Sequence, residues 1–322
     1  MLADCGPARN AGRSEGQEPP RSNQAAMMNI WLDTDIGSDV DDAVCLLCAI
    51  RHPGVRLVGV STVMHRVEIN SWLAREMLSR ANLAQVPVLS GAAVALGGDA
   101  AAEDASDWMP SHGRLAPPLP RDSAHDDAAR VAAIAEAMLA IAEPYHLLTI
   151  GPLTNAARLL RDHPQVRKRW ASVTCMAGWL DARGEYNVEC DVAAAQAVVA
   201  QTAPTMVGLE ASSYTLTRQE AEGALDPSDP VSAFLLDCYR EYRAHSDWLK
   251  EDEGKPITLY DAITLISMVR PDLFTLQQVK VLVENDGRMR LTDDGSPVTY
   301  ATACDWDGVK RVIIELMRGR LP

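Results

Sequence analysis

Basic residues are scarce in this sequence. Its 322 residues include 30 Lys and Arg but 44 Asp and Glu, so the formal net charge at pH 7 is -14. A surface of this sign repels the phosphate backbones of DNA and RNA. The charge therefore argues against a nucleic-acid partner and favours a small neutral substrate or a cation.

Paired cysteines and long apolar runs are also missing. The seven cysteines include one C-x-x-C, formed by Cys45 and Cys48 inside the apolar run 43–50, and no second pair completes a zinc site. We expect packed thiols in a reducing compartment. Because no apolar run reaches the length of a membrane span, we expect a cytoplasmic protein without a membrane partner.

The first 26 residues lack an apolar core and are rich in Gly, Pro, Ser, Arg and Gln. This composition does not fit a conventional secretory signal and predicts a disordered extension over residues 1–28. A start assigned too early is the alternative, since Met27 and Met28 precede the first predicted strand. Residues 29–322 show no internal repeat and no linker, so we expect a single domain there.

Strand and helix patterns alternate along most of the chain. Runs rich in β-branched and apolar residues, such as 30–33 and 146–150, precede segments with helical spacing, such as 41–51 and 153–161. The alternation predicts an α/β fold: an open, mostly parallel sheet with helices on both faces and a Rossmann-like core. Ligands of such sheets bind beyond the carboxyl ends of the strands. The stretch 92–125 is instead loop-like, and too long to be a simple connector.

Five carboxylates follow the first predicted strand within ten residues: Asp33, Asp35, Asp39, Asp41 and Asp42. Like charges this close repel one another and raise each other's pKa values. A hard divalent cation, Ca²⁺ or Mg²⁺, is the simplest compensation. Two other interpretations stay open at this point. One is a solvated acidic turn at a helix start, and the other is the D-x-D loop of a haloacid-dehalogenase-like phosphatase, with Asp33 as nucleophile.

Three further motifs lie at predicted strand or helix ends: G-P-L-T-N-A-A at 151–157, G-E-Y-N at 184–187 followed by Asp191, and Y-D-A at 260–262. Together with the acidic loop, they resemble in order the D-x-D-x-G…D-D-A, G-P-L-T-N, E-F-N and H-D motifs of the inosine-uridine nucleoside hydrolase family. The resemblance spans roughly residues 29–317. It implies a calcium-dependent enzyme that hydrolyses the N-glycosidic bond of ribonucleosides to ribose and free base, in nucleoside salvage.

The resemblance also implies a metal site. Asp35, Asp42, Asp261 and the backbone carbonyl of Ile150 match the Ca²⁺ ligands. Asp35 matches, in addition, the general base that takes a proton from a Ca²⁺-bound water attacking the sugar. Asp33 matches a supporting acid near the metal.

Substrate contacts follow from the same resemblance. Asp41, Glu185 and Asn187 match residues that hold ribose hydroxyls, so deoxyribose should bind poorly. His112 falls where the family has an H-G loop near the base. Trp179 lies near a family Asn, where it would stack on the base or pack in the core.

Several positions depart from the family pattern. The acidic loop is two residues longer, and we expect the extra Asp39 to cap the next helix. Tyr260 replaces the His that helps protonate the leaving base, and a tyrosine, with an ordinary pKa of about 10, is a reluctant acid. His65 lies in a His-Arg pair that replaces G-N, and is either a substitute acid or a loop histidine. The preferred base therefore stays open.

Two other classes of protein compete with the hydrolase: a non-catalytic binding protein and a phosphatase. The missing His keeps open a protein of the same fold that binds calcium and ribose without hydrolysis. The phosphatase is disfavoured, because the sequence offers no clear late acidic pair and no well-placed catalytic Lys. The resemblance further implies a homodimer or homotetramer.

Overall fold

The structure is a computed structural model that describes residues 27–98, 111–120, 126–182, 184–246, 249 and 255–320. Its strands are β1 (Met28–Thr34), β2 (Val55–Thr62), β3 (Val88–Ser90), β4 (Tyr145–Thr149), β5 (Trp170–Met176), β6 (Thr205–Val207), β7 (Thr215–Leu216), β8 (Ile257–Thr258), β9 (Phe274–Val283), β10 (Met289–Leu291) and β11 (Ser296–Cys304).

The α-helices are α1 (Asp41–Arg51), α2 (Val67–Arg80), α3 (Asp127–Ala140), α4 (Thr154–Asp162), α5 (Tyr186–Cys190), α6 (Val192–Thr202), α7 (Leu209–Ser212), α8 (Arg218–Gly223), α9 (Pro230–His245), α10 (Tyr260–Val269) and α11 (Trp306–Met317). Short 3₁₀ helices span His112–Leu115, Pro164–Arg169 and Pro271–Leu273. Within the described residues, none of the helices has the length and apolar character needed to cross a membrane.

Nine strands form one sheet in the order β10-β9-β11-β6-β5-β4-β1-β2-β3. Every pairing from β3 to β11 is parallel, whereas β9 runs antiparallel to both β11 and β10. The six strands from β3 to β6 have the order of a Rossmann sheet. The predicted α/β fold with a mostly parallel sheet is confirmed.

The order of strands reverses beside β1. From β1 the chain continues to β2 on one side, while β4 lies on the other side, so Asp33 pairs with Ser61 of β2 and with Thr149 of β4. Connections that leave in opposite directions open a crevice at the carboxyl ends of the two strands. The acidic loop after β1 and the 151–157 motif after β4 both meet this crevice.

Alternate residues of β1 face two different cores, as a strand covered on both faces requires. Ile30 and Leu32 pack among α1, α2, α9, α10 and α11, whereas Trp31 packs among α3, α4 and α6. Helices therefore cover both faces of the sheet, as predicted.

Some boundaries differ from the expectation. Strand β1 begins at Met28, inside the segment assigned to the extension, while residues 1–26 lie outside the described residues. The apolar spacing of residues 257–268 predicts a helix over that range, but α10 starts at Tyr260, because Ile257 and Thr258 pair with β7 in a two-stranded ribbon. The loop-like stretch 92–125 contains the 3₁₀ turn at 112–115, and its residues 99–110 and 121–125 are not described.

Candidate active site

Three carboxylates from opposite ends of the chain converge at the crevice. Asp41, Asp42 and Asp261 each place a carboxylate oxygen within 4.8 Å of the other two, and their side chains are 3–5 % exposed. Asp41 and Asp42 occupy the first turn of α1, and Asp261 occupies the first turn of α10, which packs against α1. Helix N-termini favour negative charge, so both helices help to hold these acids.

Thr34 fixes the acidic loop in a tight turn. Its hydroxyl donates a short hydrogen bond to Asp42 Oδ1 and accepts one of 3.1 Å from the backbone N–H of Ile36. Thr34, the last residue of β1, therefore orients the first turn of α1. This contact forms even though the acidic loop between them is two residues longer than in the family pattern.

The cavity beside these acids has a volume of about 630 Å³. Its lining contains nearly every side chain that the sequence assigned to the site: Asp35, Asp41, Asp42, Ile150, Trp179, Glu185, Asn187, Tyr260 and Asp261. The cavity therefore gathers the predicted metal ligands, the predicted base and the predicted ribose contacts. Within this group, the tight trio includes Asp41, expected as a sugar contact, rather than Asp35.

Gly151 allows the loop after β4 to approach the acids. A Cβ at this position would lie 2.7 Å from Asp35 Oδ1 and 2.9 Å from Val63 Cγ1. Only a residue without a side chain fits such a contact. The first residue of the G-P-L-T-N motif therefore brings the adjacent Ile150 beside Asp35.

The predicted ribose contacts are built into the backbone of the site. Asn187 donates from Nδ2 to the carbonyl oxygens of Ile150 and Met176, at 3.0 and 3.1 Å. Glu185 caps α5 by accepting from the N–H groups of Asn187 and Val188, and it also accepts from Gly178 N–H at 3.0 Å. These bonds fix both side chains before a ligand enters, and the Ile150 carbonyl keeps a second lone pair.

Asp33 lies behind the cavity in a buried network that sequence reasoning missed. Its Oδ1 accepts from Asn155 Nδ2 at 2.8 Å and from the Ser61 hydroxyl, which in turn accepts from Trp31 Nε1 at 2.9 Å. Its Oδ2 is buried and has no hydrogen-bond partner within the described part of the chain. Asp33 therefore fits the supporting place expected for it. The Asn of G-P-L-T-N was the available signal for Asn155.

Asp191, the residue that follows the E-Y-N motif, also serves the framework. It caps α6 through Ala194 N–H and accepts from Leu96 N–H and the Thr154 hydroxyl at 2.6 and 2.7 Å. It thereby ties the loop after β3 to the start of α4. The further lining residues that were not singled out from the sequence include Ser38, Met176, Tyr186, Glu189 and Leu209.

The buried acids repel one another. Burial, reinforced by Asp39, Asp33 and Glu185, raises the pKa of Asp35 to about 7. Burial and neighbouring carboxylates also raise the pKa values of Asp41, Asp42 and Asp261 well above their usual range. Among the described residues, the charged groups that shift the pKa values of these four acids most are other carboxylates, not cations.

A hard divalent cation fits this donor set. All the available donors are oxygens, from carboxylates and a backbone carbonyl, which suits Ca²⁺ or Mg²⁺ rather than a softer metal. Such a cation would offset the mutual repulsion of the acids. The acidic loop is thus a buried cluster, and the solvated-turn alternative is wrong.

His112 and Asp39 do not take their expected places. His112 is fully buried outside the cavity lining, and burial lowers its pKa to about 3. Its two ring nitrogens have no hydrogen-bond partner among the residues that the structure describes. It therefore does not reach a base in this cavity. His65 lies in the loop between β2 and α2 and outside the cavity lining, which agrees with the loop-histidine interpretation. The N-cap of α1 is Val40 without a side-chain bond, so Asp39 does not cap the helix; it is hydrogen-bonded to Tyr242 instead.

Residues 30–311 match the family described as inosine-uridine preferring nucleoside hydrolase. The chain belongs to this family, and it is a nucleoside N-ribohydrolase. This assignment sets aside the phosphatase alternative. The aspartate cluster lies at the crevice beyond the carboxyl ends of the parallel strands, where ligands of such sheets bind.

Among curated relatives, the pyrimidine-specific ribonucleoside hydrolase RihA of Escherichia coli O7:K1 (strain IAI39) is 29 % identical over 273 residues, which are 80 % of this chain and 85 % of RihA. The solved inosine-uridine preferring nucleoside hydrolase of Bacillus anthracis has a TM-score of 0.71 at 21 % identity, covering 91 % of this chain and 100 % of that one. The purine-preferring ribonucleoside hydrolase of Gardnerella vaginalis gives 0.73 at 22 % identity, covering 90 % and 98 %. These structures confirm the fold, and the names of the relatives differ in the base they prefer.

Proposed function

We propose that the enzyme hydrolyses ribonucleosides to ribose and free base in this cavity, with one bound Ca²⁺ and with Asp35 as general base. The observation that carries the proposal is the convergence of Asp41, Asp42 and Asp261 within 4.8 Å at the cavity that Asp35 and Asn187 also line. Ribose hydroxyls and a divalent cation both need oxygen-rich partners, and this cavity supplies them.

Asp35, Asp42, Asp261 and the Ile150 carbonyl would hold the metal. When bound, Ca²⁺ would supply positive charge that orients a water and chelates ribose hydroxyls. Asp41 belongs to the same trio, and in this proposal it contacts a ribose hydroxyl beside the metal.

Asp35 is the side chain proposed to take the proton of the attacking water. It is 8 % exposed and lines the cavity, and the backbone at Gly151 packs directly against its carboxylate. A base that is held in place needs no reorganisation at the moment of reaction. Asn187 and Glu185, fixed by backbone hydrogen bonds, would contact the ribose.

The leaving base would meet the aromatic residues of the cavity lining, Trp179, Tyr186 and Tyr260. Burial raises the pKa of Tyr260, with Asp41 and Asp39 adding to the rise. Tyr260 is therefore a hydrogen-bond donor rather than a strong acid, as its residue type predicts.

The test is the release of free ribose from inosine, uridine, cytidine, adenosine and guanosine by protein purified without chelator. Elemental analysis of the same protein should find one calcium per chain. Asp42→Ala should lose both calcium and hydrolysis, whereas the control Asp226→Ala, at an exposed loop position, should keep both. Ribose release from none of these nucleosides, or full calcium in Asp42→Ala, would overturn the proposal.

We also propose a cytoplasmic homodimer or homotetramer. The support is the family resemblance, together with a composition that suits a reducing compartment. Light scattering during size-exclusion chromatography would test the assembly, and a monomeric mass at micromolar concentration would contradict it.

A further inference from the structure

The cavity lining is strongly one-sided in charge. Seven carboxylates line it: Asp35, Asp39, Asp41, Asp42, Glu185, Glu189 and Asp261. Among the described lining residues there is no Lys, Arg or His. One divalent cation would neutralise only part of this charge, so the loaded cavity stays formally negative. A potential of this sign attracts cationic ligands and repels anionic ones.

Aromatic rings face the same space. Trp179, Tyr186 and Tyr260 line the cavity, and the Tyr186 side chain is 55 % exposed. Faces of Trp and Tyr rings attract cations through their quadrupole, and aromatic groups combined with carboxylates typically recognise quaternary nitrogen. Both kinds of group therefore favour a positively charged heterocycle over a neutral one.

The described lining also lacks an efficient proton donor. Its O–H donors are Ser38, Tyr186 and Tyr260, and a tyrosine ordinarily has a pKa of about 10. His65 and His112 lie outside the lining. A neutral nucleobase leaves poorly unless it is protonated, whereas a cationic heterocycle leaves as a neutral molecule.

We propose, building on the proposed function, that this cavity prefers ribosides whose glycosidic nitrogen belongs to a cationic heterocycle, such as a pyridinium. In the reaction the C1′–N bond breaks, and its electron pair neutralises the ring nitrogen. The water oxygen forms the new bond to C1′, and the water proton passes to Asp35 and then to solvent. No proton has to reach the leaving group.

Glu189 is the lining carboxylate that can be neutralised with least effect on the rest of the site. It lies in α5, its side chain is exposed at the cavity, and it folds against Gly184. It belongs neither to the aspartate trio nor to the proposed ribose contacts. One unit charge at several ångströms, partly screened by water, changes binding of a cation by about 2- to 5-fold.

Three ribosides separate charge from leaving-group reactivity. Inosine is neutral and needs protonation, p-nitrophenyl riboside is neutral and needs none, and nicotinamide riboside is cationic and needs none. We expect kcat/KM to be at least about 10-fold higher for nicotinamide riboside than for inosine, and its KM to rise with salt concentration.

The deciding variant is Glu189→Gln. It should raise KM for nicotinamide riboside about 2- to 5-fold and leave KM for both neutral ribosides unchanged. Glu143→Gln is the matched control: Glu143 is exposed and pairs with Arg56 at the amino end of the sheet, away from the cavity. This control should change none of the three values.

The outcomes separate the two proposals. If inosine is hydrolysed as well as nicotinamide riboside, or if Glu189→Gln raises KM for all three alike, the preference for cationic ribosides is wrong while the hydrolase proposal stands. If none of the three ribosides, nor any nucleoside of the panel, releases ribose, the proposed function itself fails.

Discussion

Asn155 and Asp33 are joined by a 2.8 Å hydrogen bond that links the start of α4 to the end of β1. The same Asn155 amide donates to the Thr62 carbonyl at 3.0 Å and accepts from Ala92 N–H at 2.8 Å. A single buried side chain thus holds the ends of β1 and β2 and the loop after β3. These are the elements that surround the acidic loop.

Asn155→Ala should destabilise the protein by roughly 2–3 kcal/mol, because it leaves buried polar groups without partners. Chemical denaturation measures the loss. The control Asn29→Ala removes hydrogen bonds of an exposed side chain and should cost less than about 1 kcal/mol. Equal losses of unfolding free energy in the two variants would show that the buried network stabilises the fold no more than exposed hydrogen bonds do.

Gly151→Ala should reduce kcat by at least about 10-fold, because its Cβ would displace Asp35 from its present position. Steady-state kinetics on the best nucleoside would show this. Gly223→Ala is the matched control, since a Cβ there meets nothing within 4 Å. An unchanged kcat in Gly151→Ala would mean that Asp35 tolerates the shift or is not the base.

Asp35→Asn should lower kcat by about 10²–10⁴-fold, because the amide keeps an oxygen for the metal but cannot accept a proton. Binding of ribose, measured as competitive inhibition of the residual activity, should change little. Asp226→Asn controls for the loss of one aspartate charge. Near-normal turnover in Asp35→Asn would identify another group as the base.

Metal removal should make stability depend on pH with a defined sign. The folded-state pKa values of Asp33 and Asp35 are raised from 3.8 to about 7, so the metal-free folded protein binds more protons than the unfolded chain between these values. Its stability should fall as pH rises from about 4 through 7. Calcium would keep the acids ionised, so the gain in Tm on adding it should grow over the same range. Melting curves in EDTA and in excess Ca²⁺ at pH 5 to 8 measure this, and a gain that does not grow with pH contradicts it.

Tyr260→Phe should slow inosine hydrolysis about 10-fold if the hydroxyl donates a hydrogen bond to the leaving base. It should hardly affect p-nitrophenyl riboside, whose leaving group needs no such help. Tyr214→Phe, at a ring stacked on Trp306, serves as the control. Equal slowing of both substrates would place Tyr260 at the sugar or the metal instead.

The elements nearest the site could be predicted because local and tertiary preferences agree there. Helix α1 spans 41–51 as expected, with acids in its first turn and Arg51 in its last. The short β7–β8 ribbon could not be predicted, since two-residue strands exist only through their pairing in the fold. Ile257 and Thr258 were therefore placed in the helix that follows them.

The candidate site could also be predicted only in part. The sequence alone indicated a cation at the acidic loop, but only the family resemblance joined Asp261 to it, because nothing local links residues so far apart. His112 was misplaced since a two-residue match says nothing about burial. Asn155 was missed because an Asn in the first turn of a helix is ordinarily explained by local side-chain to backbone hydrogen bonds.

Asp42 lies in the first quarter of the chain and Asp261 in the last, yet they share the aspartate trio. During synthesis, the ribosome has released most of the sheet before Asp261 can emerge. A growing chain therefore carries an acidic loop without its last partner, and it should bind the cation weakly until α10 docks on α1. If the trio holds the proposed cation, tight metal binding reports that the carboxyl-terminal third has folded. A chain truncated before residue 261 should then bind little metal and be inactive, even where its amino-terminal strands are formed.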